Sequence, residues 1–294
     1  MCGIVGYIGN QKAAPILLAG LTKLEYRGYD SAGIAVMENG KIKVEKDKGR
    51  VSNLYEIKEI ESLNGTIGIA HTRWATHGVP SKMNSHPHTD SKDEFAVVHN
   101  GIIENYVELK KELEEKGYSF KSETDTEVIP NLIHYFYNKD ENNDEIKLVR
   151  AVKNATDRLI GSFAIEVLSS ENPDLMVVVR KDSPLVIGKG IKENYIASDI
   201  PAILSYTKDF YLLENYEFAM ISRNTIRFFD KDLKEFKKKA NTITWNAMDA
   251  DKNGYEDYML KEINEQPTAI RETIGTRVNK GICKFDELGF TKEY

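Results

Sequence analysis

The chain opens Met1-Cys2-Gly3-Ile4-Val5-Gly6, and the cysteine at its second position is the residue best placed to do chemistry. A small second residue permits removal of the initiator Met. Cys2 would then carry a thiol nucleophile and a free α-amine on one carbon. An α-amino group titrates near pH ~8, so a useful fraction is neutral at physiological pH and can take the thiol proton without a histidine. Arg73 sits in a polar loop with Trp74, Thr76 and His77, and its guanidinium fork suits a carboxylate. Asp125, at an expected helix start, suits an ammonium group. Arg73 and Asp125 together would hold an α-amino acid by its two charged ends. Asn100-Gly101 follows an apolar run and offers a side-chain amide and a backbone N–H, the parts of an oxyanion hole. Each feature alone has an ordinary reading, as a packed cysteine, a surface ion pair, a capping charge or a turn. Jointly they describe hydrolysis of the side-chain amide of an amino acid such as glutamine.

These residues need a rigid frame. Ile4 to Ile8 reads as a buried strand that fixes Cys2. Ala13 to Glu25 reads as a helix with leucines at helical spacing and Pro15 in its first turn. Glu25-Tyr26-Arg27-Gly28-Tyr29-Asp30-Ser31-Ala32-Gly33 forms a tight turn into a strand over residues 34–37. Asn39-Gly40 then signals a hairpin, with a return strand over 41–46. Residues 51–62 have helical periodicity. Gly65 to Ala70 and Phe95 to Val98 are short apolar strands that lead into the Arg73 loop and into His99-Asn100-Gly101. Helices are expected over 104–116, from about Ser122 to Tyr137, and over 145–159, with Thr124 and Glu127 spaced as a capping box. From Phe163 to Phe229 strands dominate. Helices embedded among many strands predict an α+β sandwich. Lys237-Lys238-Lys239 reads as a solvated run and residues 241–254 as a linker. Residues 255–276 read as a helix interrupted at Pro267.

Composition narrows the classes. The 294 residues suffice for one large or two ordinary domains, and 41% are hydrophobic, as in an ordinary globular protein. A net charge of −6 gives no general attraction to nucleic acid or to an anionic membrane surface. No apolar run is long enough to span a bilayer, and the amino terminus lacks the pattern of a signal peptide. Two cysteines, Cys2 and Cys283, do not suggest a disulfide framework, so a cytoplasmic location is expected. His71, His77, His86, His88 and His99 invite a metal reading, but none forms a helical His-x-x-x-His pair and no second cysteine is near; no metal is expected. Gly188-Lys189-Gly190 reads as a turn between strands rather than a phosphate loop.

The amino-terminal Cys-Gly-Ile, the Tyr26–Gly33 segment, the His71–Gly78 segment with His86-Pro87-His88, His99-Asn100-Gly101 and Glu123-Thr124-Asp125 together resemble the glutaminase domain of the glucosamine-6-phosphate synthase family, class II amidotransferases with an amino-terminal nucleophile. The resemblance runs in order through residues 1–240 and continues in Tyr258–Ile263 and Glu265-Gln266-Pro267, which resemble the entry to that family's sugar-isomerase half. It implies a four-layer αββα sandwich followed by a linker and a helical extension, with a glutaminase domain over 1–240 and the start of a truncated isomerase region over 241–294. It implies Cys2 as nucleophile and Asn100 and Gly101 as oxyanion stabilisers. It implies glutamine binding by Arg73, Thr76, His77, Gly101 and Asp125, with Trp74 in a closing loop and Arg27 close by. No cofactor is implied, since nitrogen moves as free ammonia. Fructose 6-phosphate would be reached only through the missing half, and full-length members would be homo-oligomers. Two other readings are an ammonia-donating half of the amidophosphoribosyltransferase type, which the 258–267 segment disfavours, and a non-catalytic glutamine sensor, which the joint presence of the site residues disfavours.

Overall fold

The computed structural model describes residues 2–244, 254–255, 258–275, 278–279 and 282–283. In the first part of the chain, β1 (Gly3–Ile8) leads to α1 (Ala13–Leu24), the hairpin β2 (Ser31–Glu38) and β3 (Lys41–Lys48), α2 (Val51–Tyr55), α3 (Lys58–Ser62) and β4 (Ile67–Arg73). Next come β5 (His88–Thr89), β6 (Phe95–Ile103), α4 (Tyr106–Glu115), α5 (Val128–Lys139), α6 (Lys147–Thr156), β7 (Gly161–Ser169) and β8 (Met176–Lys181). Then follow β9 (Val186–Lys189), β10 (Asn194–Ala197), β11 (Asp209–Leu212), β12 (Phe218–Ile221), β13 (Ile226–Phe229), β14 (Glu235–Phe236) and β15 (Asn241–Thr242).

The strands form two antiparallel sheets. The first has the order β15-β11-β9-β10-β1-β4-β2-β3 and the second β14-β13-β12-β8-β7-β6-β5. Helices α1, α2 and α3 cover the outer face of the first sheet through Leu17, Leu21, Leu54 and Ile60. Helices α4, α5 and α6 cover the second through Leu109, Leu132 and Val152. A third apolar layer lies between the sheets, with Ile4, Ile69, Val98 and Val178 facing inward. The result is the four-layer αββα sandwich. It explains why β1 is apolar throughout rather than alternating: Ile4 and Ile8 face the other sheet while Val5 and Tyr7 face α1, so both sides are buried. Edge strand β3 keeps an alternating, half-exposed pattern.

Asn39 and Gly40 both have positive φ, 53° and 72°, as a two-residue hairpin turn requires. Residues 51–62 form two short helices rather than one, because Ile57 adopts an extended conformation between them. The capping box is not formed. Helix α5 begins only at Val128, and the Glu127 carboxylate instead accepts the backbone N–H groups of Lys121 and Ser122 at 2.8 and 2.6 Å. The first compact unit runs Met1–Thr244, since Asn241 and Thr242 pair with β11 and close the first sheet. The second unit, Trp245–Tyr294, contains α7 (Tyr258–Gly275), assigned as helix through Pro267, and the short hairpin β16 (Val278–Asn279) and β17 (Ile282–Cys283).

Candidate active site

Register brings the chemistry together. In the first sheet Gly3 pairs with Thr72, and Ser31 with Arg73, so the start of β1, the end of β4 and the start of β2 share one end. On the second sheet β6 presents Asn100 across the seam, where its Nδ2 donates to the Cys2 carbonyl at 3.1 Å. The site therefore sits at one mouth of the space between the sheets.

The Cys2 thiol accepts the backbone N–H of Trp74 at 3.2 Å and lies 3.6 Å from the Trp74 carbonyl. Burial pushes its pKa up, against the opposing pull of that N–H. The resting group is a thiol, which calls for a base to generate the nucleophile. The α-amine that would serve belongs to a terminus whose processing at Met1 lies outside the described residues. Cys283 lies on β17.

Arg73 organises its own loop. Its Nη2 donates to the carbonyls of His77 and Gly78, so residues 73–78 curl around the guanidinium. Nη1 is buried with no partner. A buried unmatched donor is costly, and a carboxylate arriving there would satisfy it. Burial lowers the Arg73 pKa, while Asp30, Cys2 and Asp125 pull it the other way.

Asp125 is buried, and its Oδ2 accepts the Ile103 N–H at 2.8 Å. Its other oxygen lies 3.8 Å from His77 Nδ1, and His77 packs edge-on against Tyr106. Thr76 Oγ1 approaches the same His77 nitrogen at 3.3 Å. Thus Arg73, Thr76, His77 and Asp125 gather around one mouth with opposite charges at its two sides. Trp74 is half exposed and stacks edge-on to Tyr29, 5.7 Å between centroids. Gly101 adopts φ 139°, and a Cβ there would land on the Ser162 carbonyl, so only glycine fits beside Asn100. Arg27 is brought not to the thiol but to Asp199, at 2.5 Å, with its Nε on the Tyr26 hydroxyl.

Residues 71–205 match the family model described as a glutamine amidotransferase domain. The whole chain is 54% identical to a glutamine–fructose-6-phosphate aminotransferase (isomerizing) of Clostridium perfringens, covering 47% of that protein. It is 47% identical to the enzyme of the same name from Methanosarcina acetivorans, covering 48% of it. Over residues 71–205 the chain is similar to the glutamine amidotransferases. In solved structures, the glutamine phosphoribosylpyrophosphate amidotransferase of Bacillus subtilis aligns with a TM-score of 0.67 at 26% identity, over 80% of this chain and 50% of that one. The chain spans about half the length of the curated relatives it matches.

Two residues of the candidate site escaped the sequence reading. His71 Nε2 lies 3.0 Å from both the His99 carbonyl and Asn100 Oδ1. Both partners are acceptors, so Nε2 carries the proton. That bond holds the Asn100 oxygen toward His71 and its amide nitrogen toward Cys2. Burial drives the His71 pKa to about 3, so the ring stays neutral. Asp30 accepts the Ala75 N–H and the Ser31 hydroxyl, tying the Arg73 loop to the β2 entrance. Asp30 had a sequence signal in its place between two glycines in a polar turn. His71 had none, being one of several histidines without metal spacing. Among the described residues no cluster of His, Cys, Asp and Glu is arranged to hold a metal.

Proposed function

We propose that the chain hydrolyses glutamine to glutamate and ammonia, as the ammonia-donating half of glucosamine 6-phosphate synthesis from fructose 6-phosphate. The observation that carries the reading is the convergence of the Cys2 thiol and the Asn100 amide at one end of the sandwich, beside a buried Arg73 with a free Nη1. Residues 1–240 are the glutaminase domain in this proposal. Residues 241–294 link it to the start of a sugar-isomerase region. Identity of about half over the full chain to the fructose-6-phosphate enzymes supports that acceptor over phosphoribosylpyrophosphate, where the likeness is 26%.

In this mechanism Met1 is removed and the Cys2 α-amine takes the thiol proton. Arg73 holds the glutamine carboxylate, while Asp125, with Thr76, His77 and the Gly101 backbone, holds the ammonium end. The thiolate attacks the side-chain amide carbon, and the oxyanion is held by Asn100 Nδ2 and the Gly101 N–H. Collapse passes the proton from the amine to the leaving nitrogen, releasing ammonia and leaving a thioester. Water activated by the same amine then frees glutamate and restores the thiol. Trp74 lies on the loop that closes over the substrate, and Arg27, held by Asp199, borders the site. A free thiol at Cys2 fits a reducing compartment, the cytoplasm.

The test is glutamate and ammonia release from glutamine by the purified 294-residue chain, with intact mass recorded. Expected are turnover, loss of Met1 from the active species and no turnover by Cys2→Ala. A folded, Met1-free chain that binds glutamine but never cleaves it would overturn the reading.

A further inference from the structure

Away from the candidate active site, the seam between the sheets opens again where edge strand β3 faces the loop leading into β5. A cavity of about 330 Å3 lies there, large enough for a small molecule. Ile42 and Val44 of β3 and Met83 and Pro87 of the loop give it an apolar lining. Three lysines line the same cavity, Lys46 next along the β3 face from Val44, with Lys82 and Lys121 close enough to act on its charge.

These cations outnumber the carboxylates that line the same cavity. Lys46 is held at the seam by the carbonyls of Ser85 and Pro87, at 2.6 and 2.9 Å. Burial lowers its pKa to about 8; Glu127 opposes that, while Lys121 and Lys82 lower it further. Neither the Lys82 nor the Lys121 ammonium forms an ion pair among the described residues. Two carboxylates also line the cavity, but Glu127 is taken by two backbone N–H groups and Asp93 by the Thr89 hydroxyl. Glu45 lies near Lys82 without pairing to it, and burial pushes its carboxyl pKa up. Three ammonium groups against two carboxylates leave the concavity net positive, and an anion bound there would offset that excess.

We propose that this cavity binds a small molecule that joins a phosphate group to an apolar body. The phosphate meets Lys46, Lys82 and Lys121, and the apolar body lies on Ile42, Val44, Met83 and Pro87. The cavity's inner wall is His88, whose ring stands edge-on to His86 at 4.8 Å. His86 stacks on His71 at 4.1 Å, and His71 holds the Asn100 amide. Occupation of the cavity is therefore transmitted to the amide beside Cys2 through packed neutral rings. The binding site itself goes beyond the glutaminase reading, and only the consequence for the oxyanion rests on it.

The experiment is calorimetric titration of the 294-residue chain with phenyl phosphate, inorganic phosphate and phenol at pH 7.5 without glutamine. Imidazole resonances of the histidines are followed in parallel. Phenyl phosphate is expected to bind saturably at one site and more tightly than inorganic phosphate, phenol not to bind, and the His88 signal to shift. The double variant Lys82→Glu, Lys121→Glu, whose altered side chains are exposed, should weaken phenyl phosphate at least about tenfold, the combined effect of two modest surface charges. Lys231→Glu, a solvated turn lysine outside the cavity, should not weaken it. Absence of saturable binding, or equal affinity in the double variant, would overturn the site. Equal affinity for inorganic and phenyl phosphate would overturn the assigned ligand class. Because no glutamine is present, a failure here leaves the glutaminase reading untouched, and a failure of glutamine cleavage leaves this site untouched.

Discussion

Glu166 offers the sharpest stability test. It lies on β7 between Ala164 and Leu168, both in the apolar layer between the sheets. It is fully buried, and neither carboxylate oxygen has a hydrogen-bond partner. It reaches over β1 at Gly6, where even a methyl group would come within 2.7 Å of Glu166 Oε2. Burial alone raises its pKa well above the ordinary 4.5. The folded protein therefore keeps this proton while the unfolded chain gives it up above pH 4.5. Fewer protons bound in the unfolded state means that stability falls as pH rises, by ~1.4 kcal/mol per pH unit from this group, until the folded carboxyl itself ionises. Glu166→Met keeps similar bulk and removes the titration, next to an apolar wall that includes Met176 and Val178. Urea unfolding of both proteins at pH 5, 6, 7 and 8 is the assay, with the difference between them cancelling all other titrating groups. The variant should gain on the parent as pH rises above 5, by up to ~1.4 kcal/mol per pH unit. A gap that stays constant from pH 5 to 8 would refute the argument, because it would mean that Glu166 is neither desolvated nor neutral in the folded state.

Three further predictions concern the site. The oxyanion role proposed for Asn100 predicts that Asn100→Ala lowers kcat for glutamine by ~10²–10³, with KM changing far less; steady-state kinetics checks both. Arg73→Ala should instead raise KM for glutamine at least about tenfold, since a charge-assisted pair in a desolvated mouth is lost, and an unchanged KM would remove Arg73 from substrate binding. His71→Phe keeps the ring packing on His86 but releases the Asn100 amide. Its kcat should fall about tenfold or more with KM nearly unchanged, and combining it with Asn100→Ala should add almost nothing, as expected of residues acting through one another.

Much of this molecule could be read locally. The turn at Asn39-Gly40, the doubly buried β1 and the leucine stripe of α1 follow from propensity and periodicity, which depend only on neighbours in the chain. The candidate site residues could also be named, because a terminal thiol, an arginine fork, a carboxylate and an amide each carry their chemistry in the side chain. What the chain order could not supply was pairing between residues far apart. The helix start at Thr124 looked like a capping box, yet Glu127 turns back to the N–H groups of Lys121 and Ser122, and α5 begins at Val128.

The identity of Cys2, Arg73, Asn100 and Asp125 was set by sequence alone, as was the alternation of apolar runs that makes two sheets and their helices. Tertiary structure decided which amide hydrogen points at Cys2, through a contact between His71 on one sheet and Asn100 on the other. It decided that Arg27 is held by Asp199, 172 residues away, and that Arg73 keeps one buried nitrogen free. It also placed Glu166, in a strand that reads as ordinary core, opposite Gly6 with no partner. Local pattern encodes how each strand and helix buries its own face, whereas these contacts depend on the register and spacing of two sheets packed across a seam, which no short stretch of residues contains.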